Sequence, residues 1–295
     1  MKFIPFLTMI CLLMSGLTSA QTNEGTMEQF TLSHDDRERD YLVYTPANYD
    51  DMQSYTLLLA LHPATTTGRD MAGMTGFDSL ADADNVIIAY PSAISGRWNS
   101  ANTSDIDDIG FLTALLDKLL EDYAIDENNI FVLGYSNGGL MTLKLRCVLS
   151  ERIKGIISYA APLTFAISGD CPSGESVSSL VIHGTSDEVF PFSGQATVRN
   201  GQISGTFSAD QTIGFLAGLN GCQTRTDGED ISVDNARTRI FITRYNCNDT
   251  INELMTIAGL GHYGWAGTLL VNLDNQNITL NAAIFRFIKQ VSDLS

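Results

Sequence analysis

Ile130-Phe131-Val132-Leu133-Gly134-Tyr135-Ser136-Asn137-Gly138-Gly139-Leu140 is the stretch that decides how this chain folds. Its first four residues are apolar and large or β-branched, as expected for a strand buried on both faces. Residues 140–149 then read as an amphipathic helix. Between the two, glycines stand two places before and two places after Ser136. A strand that turns into a helix this sharply forces the serine into strained backbone, and side-chain-free positions leave room for neighbouring chain. The helix start aims free N–H groups and its positive dipole end at the serine. A serine between spaced glycines is common by chance; the strand before and helix after make this one specific.

The same alternation extends outward. Residues 55–61, 85–90, 155–159 and 179–183 repeat the apolar strand character, and residues 70–84, 108–123 and 138–149 read as helices. In the helix at 108–123, Phe111, Leu112, Leu115, Leu116, Leu119 and Leu120 form a wide apolar stripe. An N-terminal hairpin is expected over 28–45, two late strands over 238–247 and 251–258, and a last helix over 281–291. Residues 194–235, rich in Gly, Ser, Thr, Asn and Asp, read as a surface insertion with one helix near 210–219. Strands alternating with helices imply an α/β fold, a mostly parallel central sheet with helices on both faces.

A serine hydroxyl needs a positioned base to act as nucleophile at neutral pH. The chain has four histidines. His34 belongs to the first hairpin, His62 ends the strand at 55–61, and His183 lies inside a buried strand. That leaves His262, in the loop Gly259-Leu260-Gly261-His262-Tyr263-Gly264-Trp265. A carboxylate must in turn orient the imidazole. Asp187 follows a strand end through Gly184-Thr185-Ser186, so it emerges at the same sheet edge; Glu188 is its neighbour and rival. The order serine, acid, histidine is that of the α/β-hydrolase fold. Two backbone donors are needed for an oxyanion. Asn137 N–H is one, and because Pro63 has no N–H, Ala64 is assigned the other. Tyr135, Trp98 and Trp265 are the candidates for the substrate pocket. Asp107 and Asp108 read as an N-cap and a helix-dipole partner.

Residues 1–20 read as an export signal: Lys2, an apolar run, then small residues at Thr18-Ser19-Ala20. The run is too short to span a bilayer. Residues 21–295 then form a single catalytic domain, large enough for its own core. A net charge of −17 argues against nucleic acid and anionic membranes as partners. Past the signal, Cys147, Cys171, Cys222 and Cys247 remain, an even number that implies two disulfides in an exported chain. Three pairings are possible, of which the sequential one closes two loops of similar length. No CxxC or histidine pairing accompanies these cysteines, so no metal site is expected. No cofactor is expected either.

The residues resemble those of secreted esterases related to poly(3-hydroxybutyrate) depolymerases and feruloyl or acetylxylan esterases. The likeness includes Arg39 to Pro46, Tyr90-Pro91, Trp98-Asn99, Asp107-Asp108-Ile109-Gly110-Phe111, the elbow at 134–139, His183-Gly184-Thr185-Ser186-Asp187 and Gly261-His262-Tyr263-Gly264-Trp265. The resemblance implies the same Ser136, Asp187 and His262, a bond between Cys147 and Cys171, a secreted or periplasmic location, and an ester substrate of plant cell-wall or polyester origin. Two departures stand out: Pro63 replaces a glycine, and Tyr263-Gly264-Trp265 replaces a tryptophan-proline. A serine peptidase of the same fold is one rival reading. The other is an inactive polysaccharide-binding relative, which Pro63 would favour by distorting the oxyanion site.

Overall fold

The computed structural model describes residues 24–199, 201–234 and 237–294; the expected export signal lies outside them. The strands are β1 (Thr26–His34), β2 (Arg37–Thr45), β3 (Tyr55–Leu61), β4 (Val86–Pro91), β5 (Ile125–Tyr135), β6 (Gly155–Tyr159), β7 (Ser178–Gly184), β8 (Gln195–Arg199), β9 (Gln202–Thr206), β10 (Thr224–Asp230), β11 (Ile240–Asn246), β12 (Ile251–Ile257), β13 (Leu270–Leu273) and β14 (Gln276–Thr279). The helices are α1 (Gly68–Thr75), α2 (Asp78–Asp84), α3 (Asp108–Asp122), α4 (Asn137–Val148), α5 (Phe165–Gly169), α6 (Ala209–Leu219) and α7 (Leu280–Ser292).

Ten strands form one sheet in the order β1-β2-β4-β3-β5-β6-β7-β12-β11-β10. The six central strands, β4 to β12, run parallel, and two antiparallel strands flank them on each side. Because successive side chains point to opposite faces, β3 sends Leu58 and Ala60 into one core and Leu57, Leu59 and Leu61 into another. α1, α2 and α7 cover the first core; α3, α4 and α6 cover the second. This is the α/β-hydrolase fold. The hairpin turn at Asp35 and Asp36 has φ of 52° and 57°, the geometry that suits a right-handed two-stranded twist.

Three expectations need correction. The helix expected over 70–84 is two helices, because the chain turns left-handed at Gly76 (φ 57°), which caps α1. β5 starts at Ile125, five residues early, since its opening stretch carries polar side chains and a register shift against β3. The insertion at 194–235 is not merely surface: α6 packs Ile213 and Leu216 into the core, and β10 forms the sheet edge. The cysteines pair as Cys147–Cys171 and Cys222–Cys247.

Asp108 does more than face a helix dipole. One of its oxygens accepts from the Arg39 guanidinium at 2.5 Å and the other from Asn99 N–H at 2.7 Å. Both charged side chains are almost wholly buried, and Arg39 stacks on the Phe111 ring at 3.8 Å. The pair thus ties β2 to the start of α3 and to the segment before it. Removing one partner of a buried pair strands the other charge. Asp108→Ala is therefore expected to lose about 3–5 kcal/mol of unfolding free energy, measured by urea denaturation; a loss under about 1 kcal/mol would show the pair to be solvated.

Candidate active site

β5 delivers Ser136 at the parallel strands' C-terminal ends, with φ 53° and ψ −115°. Its N–H donates to Tyr159 O at 2.9 Å, fixing the turn against β6. A Cβ on Gly134 would sit 2.2 Å from Gly138 O, and one on Gly138 would sit 2.2 Å from Leu61 O. Those contacts explain why glycine stands at both places.

The structure brings Ser136, His262 and Asp187 into one row. Ser136 Oγ lies 2.8 Å from His262 Nε2, and His262 Nδ1 lies 2.8 Å from Asp187 Oδ2. The Asp187 side chain is fully buried. Burial alone would raise its pKa, but hydrogen bonds from His183, His262 and Phe190 N–H outweigh that and hold it at about 2. Val189 N–H and Phe190 N–H both donate to Oδ1, which leaves Oδ2 for the imidazole. Glu188 instead accepts from the backbone N–H of His262 at 3.2 Å, so the rival carboxylate holds the loop and not the ring.

His183 is more involved than a plain core histidine. Its Nε2 sits 2.9 Å from Phe190 O and 3.4 Å from Asp187 Oδ2, so Nε2 carries the proton. Two tyrosines on adjacent strands hold the His262 loop. Tyr135 OH donates to His262 O at 2.7 Å and accepts from Gly264 N–H at 3.0 Å. Tyr159 OH donates to Gly264 O and accepts from Ala266 N–H. Sequence reading missed Tyr159, whose partners lie more than a hundred residues away.

A cavity of about 550 Å³ opens over the row, lined by Ala64, Tyr135, Leu140, Phe190, Tyr263 and Trp265 among others. Trp98 is not among its walls, which corrects that expectation. Its indole is buried against His62 and donates to His62 O at 3.0 Å. Its backbone N–H donates to Asn137 Oδ1, and Asn137 Nδ2 donates back to Trp98 O. Trp98 thereby braces the start of α4.

Hydrogen bonds hold the loop after Pro63, in which Thr65 takes a left-handed φ of 66°. His62 Nε2 accepts from Ala93 N–H at 2.9 Å, so the ring proton sits on Nδ1 and donates to Pro63 O at 2.8 Å. Burial pushes the His62 pKa down, keeping that neutral tautomer. Thr66 Oγ1 donates to Pro63 O as well, and Thr65 N–H is bound to Gly96 O. Ala64 N–H, between them, has no partner among the described residues. Asn137 N–H, in the first turn of α4, has none within the helix.

A family model described as phospholipase/carboxylesterase matches residues 99–206. The chain is 27% identical over 195 residues to feruloyl esterase C of Emericella nidulans, covering 64% of this chain and 70% of that one. To the probable feruloyl esterase C of Aspergillus terreus it is 29% identical over 230 residues, covering 72% and 80%. Among solved structures, an acetyl xylan esterase from Aspergillus awamori superposes with a TM-score of 0.63 at 15% identity, over 90% of this chain and 99% of that one. The chain has the α/β-hydrolase fold and is similar in sequence to feruloyl esterases, which are carboxylic ester hydrolases.

Proposed function

We propose that the chain is an exported serine esterase that cleaves feruloyl, acetyl or short hydroxyacyl esters through an acyl-enzyme. The carrying observation is the row Ser136–His262–Asp187, with both outer contacts at 2.8 Å, on the floor of a largely apolar cavity. Ser136 Oγ attacks the ester carbonyl carbon while His262 Nε2 takes its proton. Asp187 holds the ring with Nδ1 protonated and stabilises the imidazolium. Asn137 N–H and Ala64 N–H hold the tetrahedral oxyanion. His262 then protonates the leaving alkoxide, and the carbonyl reforms as an ester of Ser136. Water, deprotonated by His262, attacks that ester, and the proton returns to Ser136 as the acid departs. The chemistry requires neither a metal nor an organic cofactor.

The names of the relatives favour plant cell-wall esters, and the apolar lining fits an aryl or short acyl group. Export is supported by the leader-like residues 1–20 and by two disulfides, which persist in oxidising surroundings. Residues 21–295 then act as one catalytic domain. A fluorophosphonate probe is expected to modify Ser136, read by peptide mass spectrometry, and methyl ferulate, acetylated xylan and hydroxybutyrate oligomers should each protect it according to fit. A folded protein whose Ser136 stays unmodified at high probe concentration would sink this reading; cleavage of peptide nitroanilides without ester turnover would replace it with peptidase action.

A further inference from the structure

The cavity over Ser136 contains one charge that its chemistry does not use. Arg97 lines the wall and is exposed; its backbone N–H donates to Ile94 O, but its guanidinium makes no ion pair or hydrogen bond among the described residues. Arg37, Arg39, Arg225 and Arg244 each face a carboxylate, and of the arginines without an ion pair among the described residues Arg97 is the one that lines this cavity. No aspartate or glutamate lines the same cavity. Nor is Arg97 on a loose loop. On one side Gly96 O accepts from Thr65 N–H at 2.8 Å, next to the Ala64 donor. On the other, Trp98 N–H and O are both bound by the Asn137 side chain at 2.7 and 3.1 Å. The backbone is thus held at both flanks, by Thr65 beside the Ala64 donor and by Asn137 itself, while the guanidinium is left open.

From this arrangement we propose that Arg97 docks a carboxylate carried by the substrate, so that the preferred ester bears a free acid group. Candidates are a half-ester of a dicarboxylic acid, with the acid on the acyl side, and an ester whose alcohol part carries the acid, as at the end of a hydroxy-acid oligomer. An arginine fork meets a carboxylate through two parallel N–H···O bonds, stronger than neutral ones and directional. The inference rests on the hydrolytic reading for its turnover test and stands without it for its binding test.

The turnover test compares matched esters. Mono-4-nitrophenyl glutarate against 4-nitrophenyl valerate probes the acyl side; 4-acetoxybenzoate against phenyl acetate probes the alcohol side. The expected result is that Arg97→Gln lowers the charged-to-neutral ratio of kcat/KM by about 10- to 100-fold in at least one arm at low ionic strength. Arg97→Lys should restore part of it, and added salt should shrink the difference. An unchanged ratio in both arms overturns the proposal. So does an equal fall for charged and neutral esters, which would instead make Arg97 a support of the oxyanion. The binding test titrates monoethyl glutarate and 4-acetoxybenzoate by calorimetry into Ser136→Ala and into Ser136→Ala with Arg97→Gln. At least tenfold weaker binding of one of them by the double variant is expected, and equal binding of both overturns the proposal. If no ester is turned over yet that binding difference appears, the hydrolytic reading falls and the anion site remains.

Discussion

Ser136→Ala is expected to lower kcat on 4-nitrophenyl acetate by about 10⁵- to 10⁶-fold, with KM changed little. The hydroxyl is the atom that would bond to the acyl group, and a water taking its place would not be held to the same alignment with the His262 ring. Residual rate over uncatalysed hydrolysis should persist, since the Asn137 and Ala64 N–H groups would still meet a developing oxyanion. Folding should be unaffected. Among the described residues the hydroxyl's one hydrogen bond is to His262 Nε2, and Asp187 still grips the other ring nitrogen. Steady-state kinetics with a matched thermal melt check both statements. A variant retaining a tenth of wild-type kcat would remove Ser136 from the mechanism.

Asp187→Asn should be nearly as damaging, lowering kcat by about 10⁴-fold through the proton's position on the ring. Two backbone donors, Val189 N–H and Phe190 N–H, point at Oδ1. They will select the amide oxygen of the new side chain and turn its NH₂ toward His262 Nδ1. That nitrogen must then accept, so the neutral ring carries its proton on Nε2, facing Ser136. A protonated Nε2 cannot take the serine proton. The pH dependence follows with a definite sign. The Asp187 pKa is depressed to about 2, so its charge, and the stability that goes with it, is present above the ordinary aspartate value and is lost only as pH falls through about 2. Asp187 therefore does not produce any loss of activity seen between pH 4 and 7. A ring-nitrogen NMR spectrum reporting the same tautomer in both proteins would contradict this account.

The elbow was legible because its geometry tolerates so few residues. Gly134 and Gly138 each face a carbonyl oxygen at a distance no side chain permits, and such demands leave a mark in sequence. His262 could be found because four histidines allow elimination. What escaped was held by long-range contacts with no periodicity. Nothing near Tyr159 announces that its hydroxyl will hold residues 264–266, and Arg39 and Asp108 lie 69 residues apart. Trp98 looked like a pocket wall because aromatic side chains suit such walls, yet its N–H found a carbonyl inward. β10 was hidden for another reason: its seven residues are exposed throughout and carry no apolar alternation.

That outer strand has a consequence for the chain's life in a crowded medium. Arg225, Asp227, Glu229 and Asp230 stud it, a bulge interrupts its register between Thr226 and Glu229, and ion pairs to Asp210, Arg239 and Arg244 fasten those charges in place. A neighbouring molecule adding its own strand there would have to strip water from every one of those charges and match a broken ladder. Fibril growth from this margin of the ten-stranded sheet is thereby discouraged.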